Sequence, residues 1–235
     1  MCARVDAQVG HLRAALEEKG LWDDCAFFLF SDHGDFTGDY GLVEKNQNTF
    51  EDCLTRVPFI VKPPAGVPAR PGVRDALVEL TDLTATVHDL TGIDPGYDGF
   101  GKSLLPLLSG ATDQHRDAVF CEGGRLDGET QAAERDSPSA TDPAGLYHPR
   151  CRMQQRIPEH TKATMCRTAD YKYVRRLYES DELYDLREDP GEIRNRIDDP
   201  ALAGVRAQLA DRLLTWYQET CDTVPRRTDR RSFGL

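Results

Sequence analysis

The chain has 235 residues, 39% hydrophobic and 29% charged, which suits one larger domain or one domain with a small appendage, with a buried core and a solvated surface. Its net charge of −11 excludes a general binder of nucleic acid or anionic membrane. An anionic substrate would have to be met by a local cluster of cations or by a metal.

The first predicted element is a helix. Val5, Val9, Leu12 and Leu16 recur at helical spacing, and Gly20 is a C-terminal stop. The helix starts at the first residues without a cap, so we expect a chain cut inside an element. The stretch MCARVDAQVGHLRAALEEKG is amphipathic and carries acids, unlike a secretory signal. Ala26-Phe27-Phe28-Leu29-Phe30 is a short continuous apolar run, as in a strand of a parallel sheet buried on both faces. Polar residues 31–41 follow. Residues 44–54 read as a short helix or a turn, with Phe50 and Leu54 as their apolar positions. Val57-Pro58-Phe59-Ile60-Val61 reads as a second buried strand, closed by Pro63 and Pro64.

Residues 63–73 form a Pro/Gly-rich loop. TDLTATVHDL, residues 81–90, predicts a helix with Leu83, Val87 and Leu90 on one face, Thr81 or Asp82 as cap and Gly92 as its end. A short strand covers residues 118–121, and residues 125–144 have loop composition. Residues 163–168 and 171–177, separated by Ala169-Asp170, predict a hairpin, and residues 182–186 a third strand. A terminal helix over 200–220 carries Leu202, Val205, Leu209, Leu213 and Trp216. These elements divide the chain into an α/β domain over 1–125, a loop or linker over 126–160 and a small antiparallel subdomain over 161–235. No apolar run approaches the roughly 20 residues that span a bilayer. The seven cysteines are odd in number and show no C-x-x-C spacing, which fits reduced thiols and a cytoplasmic location.

Ligands of open α/β sheets bind beyond the C-terminal ends of the strands, and Ser31-Asp32-His33-Gly34-Asp35 sits at such an end. Asp32 offers a carboxylate oxygen and His33 an imidazole nitrogen, a pair that can reach one divalent cation: Ca²⁺, Mg²⁺ or Mn²⁺. Gly34 would let the backbone turn away at once. From spacing alone a solvated turn is the simpler reading, and Lys45 is a surface lysine.

The pieces VDAQVGHLRAALEEKGLWDD, FLFSDHGD, GDYGLVEK and RVPFIVKPP, followed far downstream by ATMCRTADYKYVRR and ELYDLREDPGEIRN, change that weighting. In this order they resemble the sulfatase family of the alkaline phosphatase superfamily, specifically the C-terminal half of a bacterial arylsulfatase or choline-sulfatase-like protein. The resemblance implies the C-terminal part of a mostly parallel-sheet α/β sandwich plus a small antiparallel sheet-and-helix subdomain. It implies that Asp32 and His33 are metal ligands, with Ca²⁺ first among the candidate metals. It implies that Lys45 contacts the sulfate oxygens and neutralises charge as the ester bond breaks. Asp35 receives no role, Arg56 is expected to support the site, His88 to be structural, and His11, His115 and His148 to lie on the surface. His160 is placed near the cleft.

The family's nucleophile is a formylglycine made from a C-x-P-x-R-like motif. Cys121-Glu122-Gly123-Gly124-Arg125 has the Cys–Arg separation, but it has Gly at the Pro position and follows a late strand. In Cys53-Leu54-Thr55-Arg56 the Arg comes one residue early. We therefore expect a truncated sulfate-ester hydrolase, inactive alone, whose formylglycine belongs to a missing half. The expected substrate is a small sulfate ester. An exposed sheet edge would favour an oligomer or a covering partner. The alternatives are a phosphonate- or phosphate-ester hydrolase of the same superfamily and a non-catalytic binding module.

Overall fold

The computed structural model describes residues 2–126, 142–145, 162–221 and 224–225. The chain is mixed α/β with small antiparallel sheets. Helix α1 spans Cys2–Glu18. Leu21 N donates to Leu16 O at 2.9 Å and Gly20 N to Glu17 O at 3.0 Å, with Gly20 at φ +68°. That is the paired stop which glycine makes accessible without a Cβ penalty. Among the described residues, none of α1 is buried.

Strand β1 (Phe27–Phe30) pairs with β4 (Phe59–Lys62), Phe27 opposite Lys62 and Phe30 opposite Phe59. The pair is antiparallel, and no parallel pair occurs among the described residues, contrary to the expectation for these two runs. A continuous apolar run reports burial but not strand direction, which the connection sets. The burial expectation also fails in part, since Phe30 is 43% and Ile60 56% exposed. Lys62 Nζ donates to Cys25 O at 3.0 Å and to Trp22 O, and lies over the Trp22 ring, tying the loop before β1 to the end of β4. Between these strands come a hairpin, β2 (Phe36–Thr37) with β3 (Val43–Glu44), and the single-turn helix α2 (Asp52–Thr55).

Helix α3 (Thr81–Thr91) ends at Gly92, φ +69°. Its expected apolar face is not its buried face, which carries Asp82 and Thr86. The reason lies in the partner, the backbone of residues 102–104 and not an apolar surface. Asp82 Oδ1 accepts from Lys102 N at 2.7 Å, and Thr86 Oγ1 accepts from Leu104 N at 2.9 Å. No side chain caps the helix; Asp82 Oδ2 instead accepts from Glu79 N, upstream of the helix start, at 2.9 Å. Helix α4 (Leu105–Ser109) and strand β5 (Tyr97–Asp98) complete this part, β5 pairing with β10 (Val224–Pro225).

The four-stranded sheet has the order β6 (Val119–Gly123), β7 (Ala163–Arg167), β8 (Tyr171–Arg176), β9 (Glu182–Asp185), all antiparallel. Strand β6 thus pairs with the predicted hairpin across residues 126–160, most of which, with His148 and His160, lie outside the described residues. One face carries Ala118, Cys166, Tyr173 and Leu183 against Leu202, Leu209 and Leu213. Leu202 closes the 3-10 turn Pro200–Leu202, capped by Asp199, and the other two belong to α5 (Ala203–Thr220). Phe120 and Trp216 stack at 4.8 Å between centroids. The helical periodicity over 200–220 therefore marks the true core face.

Candidate functional site

Asp32 and His33 leave the end of β1, and both are exposed. His33 N donates to Asp32 Oδ1 at 3.0 Å, and Ser31 Oγ donates to His33 O at 2.7 Å, so the loop is folded by its own side chains. His33 Nδ1 lies 2.7 Å from Gly34 O. Only a protonated Nδ1 can make that bond, since the carbonyl is acceptor-only. The other ring nitrogen, Nε2, lies 3.6 Å from Asp32 Oδ2. An imidazole nitrogen and a carboxylate oxygen this close are donor types suited to a cation, and anchoring the other ring nitrogen on a carbonyl is the usual support of a metal-bound histidine. Two donors make a partial set. No group of three His, Cys, Asp or Glu able to hold a metal occurs among the described residues.

Gly34 fixes where this pair sits, for a reason other than the expected sharp turn, since its φ is not positive. Its N–H donates to Leu54 O at 2.7 Å, and a Cβ built on it would lie 1.8 Å from Cys53 O. Glycine is required for close approach to α2. Lys45 lies in the neighbouring hairpin, one residue past Glu44, which pairs with Phe36. Glu44 has φ +65°, a conformation uncommon for a residue with a side chain. Lys45 is exposed, and among the described residues its ammonium makes no hydrogen bond or ion pair, with Asp32 or any other group. The structure thus puts a carboxylate oxygen of Asp32 3.6 Å from His33 Nε2, with no direct bond from Lys45 to either. Arg56 is exposed.

Beneath α2 lies a cluster that sequence reasoning missed. Lys172 Nζ, on β8 with its side chain 1% exposed, donates to Asp52 Oδ1 at 2.8 Å and Phe50 O at 2.7 Å and pairs with Glu192. Arg167 donates to both Asp52 oxygens, at 3.1 and 3.0 Å, and Asp52 N donates to Glu192 Oε2 at 2.7 Å. Burial pushes the Asp52 carboxyl up, but Lys172 and Arg167 outweigh it and hold the group below its ordinary value. At Glu192 burial prevails over Lys172, and the carboxyl is raised. The available signal was Lys172 sharing strand parity with Val174, which faces the core. His115 is also misplaced by the surface expectation: its side chain is 6% exposed and its Nε2 lies 3.1 Å from Asp82 Oδ2. The thiols near the site are not activated. Burial first, then Glu122 and Glu79, pushes Cys121 up, and burial with Asp39 and Glu51 does the same to Cys53.

A sulfatase family model matches residues 1–93. The chain is 31% identical to the uncharacterized sulfatase YidJ of Escherichia coli, over 93% of this chain and 37% of that protein. It is 28% identical to a choline-sulfatase of Rhizobium meliloti, over 97% of this chain and 38% of the relative. Among solved structures, a phosphonate monoester hydrolase of Agrobacterium radiobacter superposes with a TM-score of 0.72 at 26% identity, covering 97% of this chain and 44% of that one. The chain therefore spans about two fifths of the length of the curated relatives it matches.

Proposed function

Since the chain belongs to the sulfatase family of the alkaline phosphatase superfamily, we propose that it supplies the metal- and sulfate-gripping part of a sulfate-ester hydrolase site. Asp32 Oδ2 and His33 Nε2 are the two protein ligands of one divalent cation, Ca²⁺ first and Mg²⁺ or Mn²⁺ as alternatives. The observation that carries this reading is the His33 Nδ1–Gly34 O bond together with an Nε2 that lies 3.6 Å from Asp32 Oδ2. A bound cation would supply Lewis-acid stabilisation of charge on the ester oxygens. Lys45, whose ammonium has no partner among the described residues, swings toward the sulfate and neutralises charge on the oxygen of the breaking bond. The 235 residues contain no C-x-P-x-R-like nucleophile motif. In this proposal the formylglycine comes from polypeptide outside them, and these residues alone do not turn over a sulfate ester.

Manganese titration of the ¹⁵N-labelled chain tests the ligand pair. Selective broadening of His33 and Gly34 signals at about millimolar Mn²⁺ is expected, because tight sites recruit more ligand oxygens. The broadening should vanish in Asp32→Ala and His33→Ala. Broadening that ignores both substitutions would refute the site. Hydrolysis of nitrophenyl sulfate by the purified chain would refute the assignment of the nucleophile to other polypeptide.

A second reading has its own support in the Agrobacterium phosphonate monoester hydrolase. In that reading the same residues grip a phosphonate or phosphate ester. Shifts of the Lys45 signals on adding phenylphosphonate but not nitrophenyl sulfate would select it.

A further inference from the structure

We propose that Lys172 is a positioning residue for the Asp32–His33 loop, acting from the C-terminal sheet through α2 and Gly34. The inference rests on the reading of that loop as a ligand site only for its consequence in metal binding.

Helix α2 has four residues, too few to hold a helix without outside support. Its support is the cluster at its N-terminal end. Lys172 Nζ grips Phe50 O and Asp52 Oδ1, Glu192 Oε2 takes the Asp52 N–H, and Arg167 holds the Asp52 carboxylate with two nitrogens. Tyr40 adds a second tie from the same loop region, donating from its hydroxyl to Gly191 O at 2.8 Å. Lys172 is a rigid base for this grip, because β8 is paired on both edges, with β7 and β9. The far end of α2 passes the constraint on. Leu54 O takes the Gly34 N–H at 2.7 Å, and Cys53 O sits against the bare Gly34 Cα. Gly34 in turn supplies the carbonyl that orients the His33 ring. An unbroken run of short contacts thus links a buried ammonium to an exposed imidazole more than a hundred residues away in sequence. Burying an ion cluster contributes little net stability compared with an apolar core of the same volume. A ligand loop in a weakly buried region, by contrast, needs a fixed mount.

Amide hydrogen exchange on the ¹⁵N-labelled 235-residue chain tests the coupling without any metal. In Lys172→Met the Gly34 amide is expected to exchange about tenfold faster, while the β7–β8 ladder stays within about threefold of the parent. Lys172→Arg, which keeps the charge, should retain most of the protection. Equal acceleration at Gly34 and in the ladder would mean that Lys172 only stabilises the sheet, and would overturn the proposal. If Lys172→Met does not fold, Arg167→Gln carries the same comparison, and an unchanged Gly34 amide in it would equally overturn the idea. Manganese broadening at His33 is the second readout. It should require about tenfold more Mn²⁺ in Lys172→Met, and identical Mn²⁺ dependence in both proteins would overturn the positioning role. If the parent chain shows no broadening at all, the metal reading fails, and the exchange arm still decides whether Lys172 sets the loop.

Discussion

The four-stranded sheet with α5 and the region that runs from α1 through β1 and β4 to α3 are built to different standards. In the first, Leu183 and Cys166 are fully enclosed and even a lysine is buried with its partners. In the second, α1 buries no residue among those described, and Leu12 is 59% exposed. Yet the candidate ligands leave the end of β1, in the looser region. Placement there cannot come from enclosure. It comes from single contacts of high stringency: a glycine against a carbonyl, a one-turn helix, and an ion cluster reaching over from the firmer sheet. A site can be mounted on a poorly buried element when a well-buried one reaches across to hold it.

The largest expected effect breaks the junction between the two regions. Asp82 is enclosed beside His115 and Arg116, and Glu79, which takes the Arg116 charge on one side, accepts from Phe120 N of β6 at 2.8 Å. Burial pushes the Asp82 carboxyl up, but hydrogen bonds from Arg116 and from the N–H groups of Glu79 and Lys102 prevail and hold it below the ordinary range. Folding therefore favours the ionised form. Its contribution is complete above the unfolded value near 4 and is lost as pH falls through the lower folded value. Asp82→Asn takes from Arg116 the carboxylate it grips with two nitrogens, leaving Glu79 at 3.5 Å, and should cost about 3–5 kcal/mol at pH 7. Urea unfolding at several pH values checks both parts: the variant should lose less than the parent between about pH 5 and pH 3.

The next test sharpens the contrast itself. Leu183→Ala should cost about 2–5 kcal/mol, while Leu12→Ala on α1 should change stability by no more than about 0.5 kcal/mol. Comparable losses in urea unfolding would show that the two regions are held alike. Gly34→Ala falls between them. Its methyl group would meet Cys53 O, a backbone atom with little freedom to move, and a cost of about 1–3 kcal/mol is expected. The same substitution should abolish manganese broadening at His33, because the loop must move off α2.

Much of the firmer region was legible in the sequence. The Ala169-Asp170 turn between two short runs gave the β7–β8 hairpin, and the spacing of Leu202, Leu209 and Leu213 gave the buried face of the terminal helix and the turn before it. Both are local patterns whose partners lie nearby in sequence. The looser region was less legible. The apolar run at β1 does not encode the direction of its partner, and β1 proved antiparallel to β4. The face of α3 was misread because its partner is a polar backbone, which selects Asp82 and Thr86 over Leu83 and Val87. Asp32 and His33 were legible as adjacent donor types, and Gly34 as a special position. Its true reason, close approach to α2, depends on a contact that spacing does not show. Strand parity could mark Lys172 as core-facing, but not its partners, which come from residues 50–52, 167 and 192 and which no local pattern joins.

The smallest expected effect on folding belongs to Lys45. It is exposed, follows a residue at φ +65°, and among the described residues has no partner for its ammonium. Lys45→Ala should therefore leave the urea midpoint within about 0.5 kcal/mol of the parent. If Lys45 grips sulfate, the same substitution should still weaken the chemical-shift response to nitrophenyl sulfate several-fold in the presence of Mn²⁺. Lys45→Arg, which keeps the charge but not the shape, should lose less. The split matters more than either number. Gly34 and Lys172 would act on the site by holding the fold around it, so their loss shows in exchange and in stability. Lys45 would act on the ligand alone. A Lys45→Ala protein destabilised as much as Gly34→Ala would place Lys45 in the structural mount and take from it the role of sulfate contact.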